Sequence, residues 1–271
     1  MAETGNSEKG PSKSEMELFF AFTEEIAGEA GKMIADRFMK RSFSVTDKAD
    51  GSPVTEVDQE AEELIRRRIS AQFPDHGIIG EEFGEENTDA DFVWVIDPID
   101  GTKSFVHGVP LFGTLIGLLY QKRPILGLIH QPVLGRLVIG DNRETRINGE
   151  KIVVNPPIPL ADATLLMTDP SDPLFIEKGS SYLSLLAKAG LVRSWGDCFG
   201  YLSLVTGQAD IMIDPVLSPW DLLPLIPILR GAGAVISDFE GRPVEKGSSL
   251  LAASSAGLHA EVLKILAGQT D

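Results

Sequence analysis

Acidic residues around position 100 have the types and spacing of a metal-binding site. The run DPIDGT places Asp97 and Asp100 on either side of Pro98, directly after an apolar run typical of a buried strand. A turn at Asp97-Pro98 would aim two carboxylates and the backbone carbonyl of Ile99 at one point. Such hard oxygen ligands suit Mg²⁺, and two ions about 3.5–4 Å apart would hold a phosphate and activate a water. A lone Asp-Pro pair more often only makes a turn, but the further acids nearby favour a metal site.

The residues that flank this run favour phosphate chemistry. Glu81 follows the short apolar stretch GIIG, so it too is expected to end a strand and point inward. Gly101 allows backbone N–H groups to approach a phosphate closely, and a helix or turn that begins at Thr102 would offer further N–H groups to an anion. Lys103 is interpreted as a surface charge, with contact to substrate as the alternative.

Two more acids each have a structural alternative. Ser218-Pro219 predicts a helix start, which places Asp221 in the first turn. There it would bind metal or only complement the helix dipole. Thr55 and Asp58 form a capping-box pattern at the start of the second helix. The alternative role of Asp58 is to orient and deprotonate the attacking water, and the sequence leaves both roles open.

Other catalytic classes find little support. The four histidines lack metal-ligand spacing and are interpreted as structural or exposed; they are His76, His107, His130 and His259. The sequence contains no GxSxG elbow, no P-loop and no GxGxxG. Cys198 has no base near it in the sequence and is interpreted as a buried small residue.

The composition is that of an acidic globular protein. Of the 271 residues, 43% are apolar and 24% charged, and the net charge is −16 from 24 basic and 40 acidic side chains. Such a surface repels nucleic acid and anionic membranes, so neither is expected as a partner. A single cysteine rules out an intrachain disulfide and fits a reducing compartment. No signal peptide is evident, and a cytoplasmic location is expected.

Hydrophobic periodicity predicts the elements that would position these residues. In the first half it predicts helices over about 15–40 and 56–73, a turn over 48–53, a strand over 92–99, and three successive strands over 111–120, 124–132 and 136–140. NGEK at 148–151 predicts another turn. The Pro-rich run NPPIP that follows marks a boundary. The expected organisation is a flexible N-terminus over 1–14, an α+β half over 15–154 with the metal site, and an α/β half over 155–271.

The second half alternates strands and helices, which argues a layered α/β architecture. Strands are predicted at 164–168, 210–213 and 234–238, and helices at 181–190, 197–206, 220–230 and 258–266. Gly190 is expected to end the first of these helices. Pro224 and Pro227 would disturb the hydrogen bonds of the helix that carries Asp221, so an irregular or kinked start is expected there.

Taken together, DGSPVTEVD, IIGEE, WVIDPIDGTKSF and SPWD with the later GAGAVISDFEG resemble the inositol monophosphatase-like superfamily of metal-dependent, lithium-sensitive phosphatases. The resemblance covers residues 15 to 265. It implies a five-layered αβαβα sandwich of the inositol monophosphatase and fructose bisphosphatase type, often homodimeric. It also implies two or three Mg²⁺ ions per site, with Mn²⁺ as a substitute. The implied ligands are Glu81, Asp97, the Ile99 carbonyl, Asp100 and Asp221. Thr102 and Asp58 would activate the water, and Gly101 and Thr102 would hold phosphate.

Finer features look like the histidinol-phosphate phosphatases of this superfamily. They are TKSFVHGVPLFGTLIGLL, LGLIHQPVLGR, GDCFGY and IDPVLSPWD. Histidinol phosphate has a cationic end, which needs acids away from the metals. Asp197 and Asp214 are the candidates. The alternatives are a helix N-cap for Asp197 and a turn residue before Pro215 for Asp214.

The expected function is therefore Mg²⁺-dependent hydrolysis of a small soluble phosphate monoester, with L-histidinol phosphate, which gives L-histidinol in histidine biosynthesis, as the first candidate. An inositol phosphate, or a related sugar or nucleotide phosphate, is the alternative substrate. A non-enzymatic metal-binding relative is a third hypothesis, disfavoured because every proposed ligand and both water-activating positions are present.

Overall fold

The computed structural model describes residues 10–48, 51–244 and 249–269. The helices in these ranges are α1 (Lys13–Lys40), α2 (Glu56–Gln72), α3 (Thr102–Val106), α4 (Pro173–Lys178), α5 (Ser180–Lys188), α6 (Asp197–Val205), α7 (Pro219–Gly231) and α8 (Ala256–Leu266). A short 3₁₀ turn spans Leu160–Asp162. No helix in the described ranges combines the length and apolar character needed to cross a bilayer.

The strands fall into a two-stranded ribbon and two larger sheets. They are β1 (Val45–Asp47), β2 (Pro53–Thr55), β3 (Gly77–Gly80), β4 (Gly84–Glu86), β5 (Phe92–Asp100), β6 (Gly113–Tyr120), β7 (Arg123–Gln131), β8 (Arg136–Gly140), β9 (Thr145–Ile147), β10 (Glu150–Ile152), β11 (Thr164–Met167), β12 (Leu191–Arg193), β13 (Ile211–Asp214), β14 (Val235–Ser237) and β15 (Leu250–Ala253). The ribbon is β1-β2, the larger sheet runs β10-β9-β8-β7-β6-β5-β3-β4, and the smaller runs β12-β11-β13-β15-β14.

Helix α1 begins two residues earlier than expected, because Ser12 caps it. Ser12 Oγ accepts from the Glu15 N–H, and the Glu15 carboxylate accepts from the Ser12 N–H at 2.8 Å, which completes a capping box. Residues 1–9 of the expected flexible N-terminus, and residues 49 and 50 of the predicted turn, lie outside the described ranges.

Strand β5 differs from its prediction at the point that matters most for the site. It pairs in parallel with β3 and antiparallel with β6, and its register with β6 shifts between Asp97 and Asp100. Pairing resumes at Asp100, opposite Gly113. The expected turn at Asp97-Pro98 is therefore wrong: the strand carries an irregularity of the β-bulge kind, which re-aims side chains without ending the pairing.

Five layers of helices and sheets pack together through three apolar clusters, the second of which contacts three layers. The first lies between α1, α2 and one face of the larger sheet, and includes Ile26, Ile65 and Ile116. A second lies between the other face of that sheet, helices α6 and α7, and the smaller sheet. The third lies between the smaller sheet and the outer helices α5 and α8. This order of layers is the expected αβαβα sandwich.

The second half agrees with the predicted alternation except in its smallest elements. Strands β12 and β15 and helix α4 were not predicted. Gly190 does not cap α5: that helix ends at Lys188, and a Cβ on Gly190 would lie 2.5 Å from the carbonyl oxygen of Ala161. Gly190 is required by this close approach, not by a left-handed turn.

Helix α7 lies against a line of three glycines in the larger sheet. Gly117 and Gly127 are register partners, as are Gly127 and Gly140. A Cβ on Gly127 would lie 1.8 Å from the Pro224 carbonyl oxygen, and one on Gly140 would lie 2.9 Å from the Ile228 Cα. The missing side chains therefore let the helix backbone contact the sheet directly.

The two internal prolines do not interrupt this helix. Helix α7 is continuous from Pro219 to Gly231 although Pro224 and Pro227 lie inside it. Pro219 occupies the first helical position, where no backbone donor is needed. The Pro227 carbonyl accepts from the Asn142 N–H at 3.0 Å. Contacts with the sheet thus compensate for a sequence that disfavours a helix.

Candidate active site

Three aspartates converge where β5 meets the first turn of α7. Carboxylate oxygens of Asp97, Asp100 and Asp221 all lie within 4.8 Å of one another. Asp97 is 2% exposed, and its Oδ1 is buried without a hydrogen-bond partner among the described residues. A buried carboxylate oxygen that nothing satisfies is costly unless a cation binds it. The donor set therefore fits a divalent metal ion with hard oxygen ligands.

The electrostatics of the three aspartates also favour a cation. Burial raises the pKa of Asp97 well above its ordinary value, and the charges of Glu81, Asp100 and Asp221 add to the effect. Burial likewise raises the pKa of Asp100 well above its usual range, with Asp197 and Asp221 contributing. The pKa of Asp221 rises to about 6, again through burial. Three acids this close repel one another, and a bound cation would remove that repulsion.

Backbone N–H groups orient two of these carboxylates. The Ser218 N–H donates to Asp221 Oδ2 at 2.8 Å, so Asp221 caps α7 and faces the cluster at the same time. Both predicted roles of Asp221 are therefore compatible with its geometry. The Cys198 N–H donates to Asp100 Oδ2 at 2.5 Å.

Glu81 is adjacent to this cluster but is paired with a lysine. Lys48 Nζ donates to Glu81 Oε1 and to Glu82 Oε1, both at 2.7 Å. Burial disfavours the charged lysine, but its hydrogen bonds and charge interactions with the two glutamates outweigh burial and raise the pKa of Lys48. Burial raises the pKa of Glu82 to about 7. The sequence predicts only a turn at Lys48, because no local pattern connects this lysine with Glu81, which lies 33 positions away.

Asp58 performs its capping role and also reaches the active site. Its Oδ2 accepts from the Thr55 N–H at 2.9 Å and from Thr55 Oγ1 at 2.6 Å. Its Oδ1 lies 3.3 Å from Thr102 Oγ1, which also lies 2.9 Å from the Ile99 carbonyl oxygen. Burial raises the pKa of Asp58. Both alternatives that the sequence left open are therefore compatible with one side chain.

Gly101 adopts the backbone conformation that the site requires. Its φ of 94° is in the left-handed region, and it precedes helix α3, which begins at Thr102 as predicted. A Cβ here would lie 2.7 Å from the Leu111 carbonyl oxygen and 3.1 Å from Asp197 Oδ2. The glycine therefore keeps the space between the end of β5 and Asp197 open.

A strongly acidic cavity of about 210 Å³ adjoins the aspartate cluster. Besides Asp100 and Asp221, its lining includes Asp169, Asp172, Asp197 and Asp214. Lys103 also lines this cavity. Hydrogen bonds from Ser171 hold the pKa of Asp169 below its ordinary value, and the Lys103 charge makes a smaller contribution in the same direction. At Asp197 the Lys103 charge opposes the rise in pKa that burial causes. Lys103 is exposed as predicted, yet it faces the cavity.

Asp197 is not the N-cap of α6, so that alternative is wrong. Gly196 holds the cap position, and Asp197 is the first helical residue, with a φ of 50°. Its N–H donates to Thr168 Oγ1 at 2.9 Å, and in the described ranges no hydrogen bond to its carboxylate is found. Burial, reinforced by Asp221, raises the pKa of Asp197 to about 6. A carboxylate held in this way is able to accept hydrogen bonds from a ligand.

Asp214 is held more tightly. It is the last residue of β13, paired with Leu250, and is 4% exposed. Its Oδ2 accepts from Tyr201 Oη at 2.7 Å, and its Oδ1 lies 3.3 Å from the Thr168 N–H. Burial raises the pKa of Asp214 to about 7. Asp214 is therefore not a solvated turn residue, and its oxygens are already engaged.

No histidine in the described ranges belongs to the aspartate cluster, whereas Cys198 contacts it only through the hydrogen bonds of its N–H and thiol with Asp100. His107 is exposed. The ring nitrogens of the others contact protein groups: His76 with Trp94, His130 with Ala27 and His259 with Ser237. Cys198 is buried, and burial raises the pKa of its thiol, so a reactive thiolate is disfavoured.

Comparison with known proteins agrees with this fold. The model of the "Inositol monophosphatase family" matches residues 15–270. The chain is 41% identical over 234 residues to a histidinol-phosphatase of Chlorobaculum parvum, an alignment that covers 86% of this chain and 90% of the relative. It is also 41% identical over 270 residues to the bifunctional phosphatase IMPL2, chloroplastic, of Arabidopsis thaliana, covering 94% of this chain and 77% of the relative.

A solved inositol monophosphatase from Zymomonas mobilis superposes with a TM-score of 0.81 at 32% identity, covering 95% of this chain and 100% of that chain. Both the sequence match and the structural match extend over nearly the whole chain. The chain therefore belongs to the inositol monophosphatase family of metal-dependent phosphatases.

Proposed function

We propose that this protein is a Mg²⁺-dependent phosphatase for a small phosphate monoester whose other end is cationic, with L-histidinol phosphate as the substrate. The observation that carries the proposal is the acidic cavity beside the aspartate cluster, where Asp169, Asp172, Asp197 and Asp214 outnumber the single cation Lys103. An ammonium or imidazolium group would be favoured there. A neutral polyol would not need so many carboxylates.

The metal would be held by the residues predicted from the sequence. Asp97, Asp100 and Asp221 form one group of oxygens, and Glu81 with the Ile99 carbonyl would complete a second. Bound Mg²⁺ would supply Lewis-acid polarisation of the phosphoryl oxygens and would lower the pKa of a nearby water. These roles are supported by the orphaned Asp97 Oδ1.

Thr102 and Asp58 would handle the proton of the attacking water. The Thr102 hydroxyl has one hydrogen and two acceptors in reach, the Ile99 carbonyl and Asp58 Oδ1. For the proton to pass from the water to Asp58, Thr102 Oγ1 would accept from the water while its hydroxyl hydrogen donates to Asp58 Oδ1 instead of to the Ile99 carbonyl. Because burial raises the pKa of Asp58, its carboxylate is a stronger base than an exposed aspartate.

The phosphate and the substrate amine would be bound in adjoining cavities that share Gly101 and Thr102. These two residues line the cavity that contains Glu81 and Asp97. They also line a neighbouring cavity with Asp197, whose carboxylate accepts no hydrogen bond in the described ranges. Asp197 would bind the substrate ammonium, and Asp214 behind it would add a second negative charge. A homodimer and a cytoplasmic location remain predictions from the sequence.

A substrate panel tests the proposal. Phosphate release would be measured with Mg²⁺ on histidinol phosphate, inositol monophosphate and adenosine bisphosphate, with Asp97→Asn as the inactive control. We expect the highest kcat/KM on histidinol phosphate. A higher value on inositol monophosphate would replace that substrate assignment. Absence of release on all three would support a non-enzymatic relative.

A further inference from the structure

Glu62 is a fully buried acid beneath the loop that carries Glu81. We propose that Glu62 is a positioning residue, which holds the Glu81 backbone so that the Glu81 side chain faces the metal site. The proposal rests on the metal role of Glu81 proposed above.

The contacts of Glu62 fix the chain just after Glu81. Glu62 Oε2 accepts from the Glu82 N–H at 2.7 Å, and Glu62 Oε1 accepts from the Phe83 N–H at 3.2 Å. The Glu81 N–H itself donates to the Ile96 carbonyl at 3.2 Å. Three consecutive N–H groups are therefore engaged, and the first two surround the Glu81 Cα. This leaves the loop little freedom to rotate the Glu81 side chain out of the site.

Arg66 completes the arrangement. Its Nε donates to Glu62 Oε1 at 2.7 Å, four residues along α2, and its guanidinium also donates to the Gly84 carbonyl. The ion pair compensates the buried charge of Glu62, which would otherwise be strongly disfavoured. The same pair thus ties α2 to both ends of the segment 82–84.

Gly80 shows how closely Glu62 approaches this segment. A Cβ on Gly80 would lie 2.0 Å from Glu62 Oε1 and 2.6 Å from Glu62 Cδ. The φ of Gly80 is not in the left-handed region, so alanine would fit the backbone there. The obstacles to alanine are the Glu62 carboxylate and the Arg66 guanidinium, whose Nη2 would lie 2.8 Å from the Cβ, so the Glu62–Arg66 pair must move if a methyl group is added.

Helix α2 connects this contact with the water-activating pair. Asp58 and Glu62 lie four residues apart, on one face of the helix, and both are buried. Asp58 reaches Thr102, whereas Glu62 reaches the Glu81 loop. One helix face therefore sets the relative positions of two parts of the site that are far apart in sequence.

Direct measurement of metal binding tests the proposal. Mn²⁺ would be titrated by calorimetry into the metal-free full chain, well below the unfolding temperature of each variant. In Glu62→Gln, one amide nitrogen replaces an acceptor, so a backbone N–H loses its partner. We expect one Mn²⁺ to bind about 10- to 100-fold more weakly, while binding at Asp97, Asp100 and Asp221 is unchanged. kcat should recover at high Mg²⁺ with KM little altered.

Two further variants keep the test decisive. Glu63→Gln changes an exposed neighbour on the same helix and should bind Mn²⁺ like the wild type. Gly80→Ala displaces the Glu62 carboxylate without removing it and should reproduce the weaker binding, which answers the question if Glu62→Gln does not fold. A lower unfolding temperature with an unchanged Mn²⁺ isotherm would overturn the proposal, as would equal weakening at every site.

Glu81→Gln separates the two claims. If it leaves the Mn²⁺ isotherm unchanged, the metal role of Glu81 fails, and the positioning role of Glu62 fails with it. If Glu81→Gln weakens one site but Glu62→Gln and Gly80→Ala do not, only the positioning role is overturned.

Discussion

Lys48 Nζ lies 2.7 Å from Glu81 Oε1, so an internal ammonium neutralises the glutamate that we assign to the metal. A metal ion that binds Glu81 must compete with this lysine. We expect Lys48→Met to strengthen Mn²⁺ binding at the Glu81 site about tenfold, which corresponds to ~1.4 kcal/mol. Calorimetric titration would measure this, with Lys40→Met, at an exposed pair with Asp36, as the control. Unchanged or weaker binding would contradict the competition.

Asp97→Asn should nearly abolish turnover while the protein stays folded. The substitution removes a charge that would balance the metal ions. It also removes a buried negative charge from the cluster, so the metal-free variant should be at least as stable as the wild type. Initial rates at saturating Mg²⁺ and thermal unfolding would be compared. Activity within a few-fold of the wild type would refute the metal role.

Asp197→Asn should impair cationic substrates selectively. A hydrogen-bonded charge pair to a ligand contributes about 1.5–3 kcal/mol, or roughly tenfold to a hundredfold in affinity. We expect KM for histidinol phosphate to rise by about that factor, with little change for inositol monophosphate. Asp214→Asn, at the other candidate acid, is the comparison. Similar losses on both substrates would mean that these acids support the fold or the metal site.

Asp214 should make the stability of the metal-free protein depend on pH. Its folded pKa of about 7 exceeds the ordinary aspartate value of about 3.9, so the folded chain binds the proton more tightly. Its contribution to stability is fully present below about pH 4 and is lost as the pH rises through about 7. We expect the unfolding temperature in chelator to fall from pH 5 to 8, and to fall less in Asp214→Asn. Parallel curves would contradict this.

Removal and exchange of the metal should separate its chemistry from the fold. Activity should vanish after exhaustive chelation and return with Mg²⁺ or Mn²⁺. Excess Ca²⁺ should inhibit, since it is larger and prefers more ligands at longer distances. Inhibition by Li⁺ is expected from the family resemblance alone. Full phosphate release after chelation would refute the metal-dependent mechanism.

The sequence predicted the acids of the site because each of them is marked locally. DPIDGT follows an apolar strand, and Asp221 follows a helix-start signal. Their convergence depends on the tertiary structure, in which β5 and α7 bring carboxylate oxygens of Asp97, Asp100 and Asp221 within 4.8 Å of one another. The β5 irregularity was missed because an Asp-Pro pair looks the same in a turn and in a bulge.

Residues whose role depends only on distant contacts could not be predicted. Lys48 meets Glu81 across 33 positions, and Glu62 meets Glu82 across 20. In the sequence, Glu62 is one of several glutamates on an ordinary amphipathic helix. The continuity of α7 could not be predicted either. Local helix propensity disfavours Pro224 inside a helix, and only the contacts with the sheet favour the helix there.

The direct contact between helix α7 and the three glycines bears on where the chain can be divided. The Pro-rich link after residue 154 would be the natural place to divide the chain into two fragments. However, the backbone of α7, in the later segment, lies directly on strands β6, β7 and β8 of the earlier segment. A fragment ending there would keep Asp97 and Asp100 without Asp221. If these three aspartates bind the metal, we expect neither fragment alone to hydrolyse a phosphate ester, whereas a mixture of the two should regain activity as the fragments reassemble.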